Sequence, residues 1–196
     1  MKNKHWNETG AITILPACHA FPLTPCREPI VMMTTDTAVL LARYSHWADM
    51  VLFDAMARLP EGAARATSGT LFGSMIGTLN HNHQVDLIWR AHLQGVPHGF
   101  STRRDVLHAD LRQLVEEQQA VNEWYIDWAG RQTPASLGER VGFNFVSGKR
   151  GEMSRGGMFL HIVNHKTYHR GWVAEMFFEH DLNPPETDLC VFLTET

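Results

Sequence analysis

Near the C-terminal end, His161-Ile-Val-Asn-His165-Lys-Thr-Tyr-His169-Arg-Gly171 places three histidines at successive four-residue intervals. At about 100° per residue they fall within about 80° of one helical face, beside Trp172 and Met176. A lone histidine on an apolar face is usually a core ring with a hydrogen-bond partner. Three in register leave two readings: polar rings buried at considerable cost, or part of a metal site. Histidine is the commonest metal ligand, and the register favours the second reading.

The whole chain is rich in this residue, with 12 histidines and six tryptophans among 196 residues. Its length suits one domain and its hydrophobic content of 44% can build a core. A formal net charge of −4 with interspersed signs leaves no basic footprint for nucleic acid. Cys18, Cys26 and Cys190 form no CxxC pair, which argues for a reducing, cytoplasmic setting and against a thiolate zinc site. No apolar run approaches the roughly 20 residues of a membrane span, and no signal-peptide core follows the basic start. Residues 1–33, punctuated by Pro16, Pro22, Pro25 and Pro29, read as a disordered N-terminal extension. Met32-Met33-Thr34-Thr35-Asp36 looks like a natural start, and the folded domain is placed at residues 34–196.

Four helical patterns then follow. The first runs from Thr37 to Leu59, with Leu40, Tyr44, Trp47, Val51 and Ala55 as its stripe and His46 off it. The second runs from Thr70 to Gln94 and is apolar nearly all round, as a buried helix would be. His81 shares one face with Leu71, Val85, Ile88 and Trp89. His83 lies about 200° away, near Phe72, Ile76 and Leu79, and periodicity alone does not choose between them. His92 is too far along to share a metal with His81. Ser101 or Thr102 caps a third helix reaching Ala129, with Leu107, Leu111, Leu114, Val121, Tyr125 and Trp128 inward. Glu116, Glu117 and Glu123 form its solvated face, and His98 and His108 read as surface residues. Val141, Phe143 and Phe145 alternate before the turn Ser147-Gly148-Lys149, predicting a short hairpin. The fourth helix, Gly157 to His180, carries the three-histidine stripe, and Leu189–Leu193 packs back as a short final element. The expected architecture is an all-α, up-and-down four-helix bundle with a hairpin excursion before the fourth helix.

From Met33 to Glu195 the chain resembles the DinB family, with its DinB/YfiT-like metalloenzyme fold. Leu41-Ala-Arg-Tyr44-Ser-His-Trp47-Ala48-Asp49 is similar to the family's opening helix. His81 with Asp86 and Trp89 is similar to the second-helix motif, His161 to Gly171 to the fourth-helix motif, and Pro184-Pro-Glu-Thr-Asp188 to the C-terminal one. Trp172 departs from the pattern, in which Gln is common after Arg-Gly. The resemblance implies a metal triad of His81, His165 and His169. It leaves His161 as a pocket group or a core ring, with Trp89 and Trp172 beside the site. It also implies a homodimer, and the family name comes from damage inducibility.

Three neutral imidazoles would leave a divalent ion its full charge and at least one open position for water, substrate or thiolate. Nitrogen ligation suits zinc, nickel, iron or copper. No general base is evident: Asp86 sits about 140° round the second helix from His81, where it orients structure or another ligand rather than substrate. Asn164, Tyr168 and Arg170 flank the ligands, with Arg170 free to anchor the helix to an acidic partner. The catalytic group would be a metal-bound water or thiolate. The family resemblance implies a metal-dependent hydrolase or thiol transferase acting on a small molecule, with a low-molecular-weight thiol as one partner. A non-catalytic metal- or ligand-binding bundle linked to stress or DNA damage is the alternative, and a metal-free bundle with core histidines is the third.

Overall fold

A computed structural model describes residues 33–195. The expectation of a disordered extension over residues 1–33, with Cys18 and Cys26, lies outside the described residues except for Met33. The fold is mostly helical. Four long helices, α1 (Thr35–Ala57), α2 (Met75–Gln94), α3 (Leu111–Gly130) and α5 (Arg155–Phe178), are joined by shorter elements. These are a 3-10 turn (Ala63–Arg65), α4 (Pro134–Gly138), strands β1 (Arg140–Asn144) and β2 (Arg150–Ser154), and a terminal α6 (Leu189–Glu195). No described helix is long and apolar enough to cross a membrane.

Each long helix starts at a side chain that accepts a bond from an orphan backbone N–H. Thr34, Ser74, Asp110 and Ser154 cap α1, α2, α3 and α5 in turn. Such a cap contributes about 1 kcal/mol. α1 packs chiefly on α3 and α2 chiefly on α5, while α1 also meets α5 and α2 meets α3. One core cluster gathers Trp89, Tyr125, Trp128, Phe159 and Ile162. The other gathers Leu52, Met56, Leu79, Leu114, Val173 and Met176.

Several expectations need correction. The buried face of α1 is Ala38, Ala42, Tyr44, Ser45, Ala48, Asp49, Leu52, Phe53 and Met56, so of the expected stripe only Tyr44 is fully buried. Leu40 is exposed, and Trp47 is half-buried with its ring 5.5 Å from Phe192 of α6. Small residues let α1 lie close to α3, and the bulky ones turn toward the terminal helix. α2 begins only at Met75, so Leu71 is exposed outside it and Phe72 belongs to the preceding loop. α3 begins at Leu111 rather than near Ser101, because residues 101–110 are held to α2 by side-chain bonds instead of coiling. From Leu114 onward its inward line is as expected, and Glu116, Glu117 and Glu123 are exposed. His108 is not a surface residue: it is half-buried with its ring 5.2 Å from His83. His98 is half-buried against His92, at 5.3 Å.

The hairpin is present between α4 and α5. β1 and β2 pair antiparallel, with Phe143 opposite Gly151. A Cβ at Gly151 would lie 2.6 Å from the Phe143 ring, so the bare backbone there lets Phe143 fold inward, 4.9 Å from Trp89.

Candidate metal centre

α2 supplies one histidine and α5 two. His165 and His169 stand one turn apart on α5, and their rings lie 4.5 Å from each other. His81 faces them across the α2–α5 contact, with ring separations of 5.0 Å to His165 and 4.7 Å to His169. One nitrogen from each of the three lies within 4.8 Å of the others. His81 and His169 are buried and His165 is half-buried.

The orientation of His81 is set from both sides. Its Nδ1 lies 2.7 Å from the Arg103 carbonyl, an acceptor only, so Nδ1 carries the proton and donates. Phe72 stacks on the ring face at 4.1 Å and 15°. The Nε2 lone pair of His81 is thereby aimed at Nε2 of His165, 3.2 Å away. Two nitrogens bonded to one tetrahedral ion at 2.0–2.1 Å stand about 3.4 Å apart, so this pair already has nearly the spacing of two ligands. Nδ1 of both His165 and His169 is buried without a hydrogen-bond partner among the described residues.

Burial, then the neighbouring rings, push the His165 imidazole down to about 2. Burial and His81 bring His169 down to about 4, and burial lowers His81 as well, with Arg103 and Arg104 adding to it. All three rings are thus neutral at physiological pH, with lone pairs available to a cation. Neutral nitrogen donors, a fixed tautomer and near-ligand spacing fit a divalent ion.

The triad opens into a cleft of about 600 Å³. His161 and Trp89 line it, with ring centroids 4.8 Å apart, and His161 stands 5.8 Å from His165. His161 is outside the three-histidine cluster. Trp172 does not line the cleft. Its ring stands 4.7 Å from His169 and 5.9 Å from Phe72. His83 points the other way and bonds Gln118 at 3.1 Å. Burial lowers His83 to about 4.

The opposite side of α5 holds a feature that sequence reading missed. Lys166, next to His165, is buried with its Nζ 2.6 Å from Asp49 and 3.0 Å from Asp86. Arg170, next to His169, reaches Asp49 at 3.2 Å and the Tyr44 hydroxyl at 3.2 Å. Asn122 and Gln118 of α3 complete the set through Asp49 and Asp86. Burial raises the Asp49 carboxyl, but Lys166 and Arg170 outweigh it and hold it below the usual range. At Asp86 burial wins over Lys166 and the carboxyl is raised. Burial likewise works against the Lys166 ammonium, and the two carboxylates more than compensate. Two acids and two bases balance, which lets four charges lie in a helical core. The anchoring expected of Arg170 and the structural role expected of Asp86 are both seen here. The signal available in sequence was Asp86 and Arg170 themselves, at buried helix positions; nothing marked Lys166.

A helical protein with a neutral three-histidine cluster at the mouth of a cleft is the class that fold and site define. The DinB family model matches residues 32–196, and the chain belongs to the DinB family. The chain is also similar to Protein DinB of Bacillus subtilis (strain 168), with 27% identity over 176 residues that cover 83% of this chain and 98% of that protein.

Proposed function

We propose that the protein is a divalent-metal-dependent enzyme of the hydrolase or thiol-transferase type. His81, His165 and His169 would hold the ion on an up-and-down bundle of α1, α2, α3 and α5. The observation that carries this reading is the 3.2 Å approach of the His81 and His165 Nε2 atoms, with the His81 proton committed to the Arg103 carbonyl. A divalent ion there, with zinc, nickel and iron as the candidates, supplies Lewis acidity that makes water or a thiol a stronger nucleophile at neutral pH. The chain's own residues do the rest. Phe72 and the backbone carbonyl of Arg103 fix the His81 ring, the Asp49–Lys166–Asp86–Arg170 set fixes the rotation of α5, and Trp89 and His161 shape the cleft around a small molecule. Among the described residues the cluster has three protein ligands and no fourth, which favours an open site with room for substrate over a closed structural zinc site.

Metal analysis of the purified protein, joined to a screen of thiols with electrophilic and hydrolysable substrates, tests the proposal. Bound metal with activity lost in His81→Ala supports it. Bound metal with persistent inactivity favours a non-catalytic metal-binding bundle, and a metal-free protein whose stability is indifferent to His165→Ala ends the metal reading. Sedimentation of the same sample tests the homodimer that family membership suggests.

A further inference from the structure

The cleft has a charge that the molecule as a whole does not. The chain carries a formal net charge of −4, yet the cleft lining includes Arg103 and Arg104 and no carboxylate. Among the described residues neither guanidinium has an ion-pair or hydrogen-bond partner. Among the described residues the hydrogen bonds at these two positions are made by their backbones: the Arg103 carbonyl accepts from His81 and the Arg104 N–H donates to Thr102 Oγ1 at 3.1 Å.

The segment carrying them is neither helix nor strand, but it is firmly held. Asn80 donates to the His108 carbonyl and accepts from the His108 N–H, both at 2.8 Å. Gln84 donates to the Asp105 carboxylate at 2.7 Å and accepts from its N–H at 3.2 Å. His81 donates to the Arg103 carbonyl between them. Three polar side chains on one face of α2 thus form a strap that places two unpaired cations at the cleft. The carboxylate of Asp105, the nearest acid in sequence, is engaged by Gln84 and stays off the lining. The same strap sets the His81 tautomer, so the cationic rim and the triad are fixed by one set of bonds. The lining also includes Val85, Ile88, Trp89 and Phe145, which give the cleft apolar surface.

We propose that this cleft takes a small organic anion with an apolar body, its acid head paired with Arg103 and Arg104 and its other end set against the three histidines. Both arginines are exposed at the cleft, where guanidinium forks match carboxylate and phosphate oxygens in pairs and no lining carboxylate competes. The placement of the reacting end at the histidines rests on the metal-centre reading; the anion recognition does not.

The test compares 4-phenylbutyrate with the isosteric 4-phenylbutyramide by titration calorimetry on the full chain. It is run with the protein loaded with zinc and again with zinc removed by chelation. The acid should bind at least tenfold more tightly than the amide in both states. The double variant Arg103→Gln/Arg104→Gln should lose that preference while keeping wild-type zinc content and melting temperature. Equal binding of acid and amide, binding of neither, or a preference that survives the double variant overturns the proposal. Should the protein take up no zinc, the metal-centre reading fails, and the acid–amide comparison on the metal-free protein still decides this one.

Discussion

Replacing Lys166 with methionine removes one charge from the buried set while nearly preserving volume. At an effective dielectric of about 20, its contacts at 2.6 Å to Asp49 and 3.0 Å to Asp86 represent about 6.4 and 5.5 kcal/mol of gross attraction. Most of this only offsets desolvation of the lysine and the carboxylates. The net loss arises because Asp49 keeps Arg170 while the Asp86 carboxylate, among the described residues, keeps only Gln118. An uncompensated buried carboxylate costs about 3–5 kcal/mol, and that is the expected loss of stability for Lys166→Met at pH 7. Adding Asp86→Asn should return at least half of it, since an amide at that site has no charge to strand. The deficit should also shrink toward pH 5. Asp86 has a raised carboxyl pKa that rises further without Lys166, so its proton stabilises the folded state at low pH and that contribution is lost as pH rises. Urea unfolding of wild type, single and double variants at pH 7 and pH 5 measures all three quantities. A loss below about 1 kcal/mol, or no recovery from Asp86→Asn, would refute the account of a balanced buried network.

Three further outcomes are expected. Alanine at His81, His165 or His169 should each weaken zinc or nickel uptake by about 100-fold or more, as measured by chelator competition. His161→Ala should leave uptake within about threefold, because the cluster does not include it. The metal-free protein should lose stability as pH falls below about 6.5, by up to about 1.4 kcal/mol per pH unit for each ring, continuing toward pH 4 for His169 and lower for His165. The sign follows because the unfolded chain binds these protons first; a flat profile between pH 7 and 5 would contradict the depressed values. Gly77→Ala should cost about 1–3 kcal/mol, because the new Cβ would stand 2.1 Å from the Phe72 carbonyl oxygen. The displaced loop should also loosen the ring that stacks on His81, so metal affinity should fall with stability.

Local periodicity was enough to find the long helices, the hairpin and the three-histidine stripe. It could not separate His81 from His83, since α2 is buried on every side and both histidines are buried. Family resemblance made that choice, and the geometry brings His81 to the α5 pair. Other features were hidden because their causes are distant in sequence. The late start of α3 depends on Asn80, His81 and Gln84, more than 20 residues upstream. Lys166 reads as a solvent-facing charge until Asp49 and Asp86 are seen beside it. The first-helix stripe was right at Tyr44 but misplaced at Leu40 and Trp47, because the buried face turns toward Ala38, Ala42 and Ala48.

The hairpin turn bears on how this scaffold can diversify. Phe145, Val146 and Ser147 lie between β1 and β2 and form part of the cleft wall, yet they belong to none of the helices that carry the histidines. Turn segments accept changes of length and sequence that packed helices do not. The turn is therefore an exchangeable part. Libraries varied at these three positions alone would recut the shape of the cavity while the triad, the strap and the buried charges stay fixed.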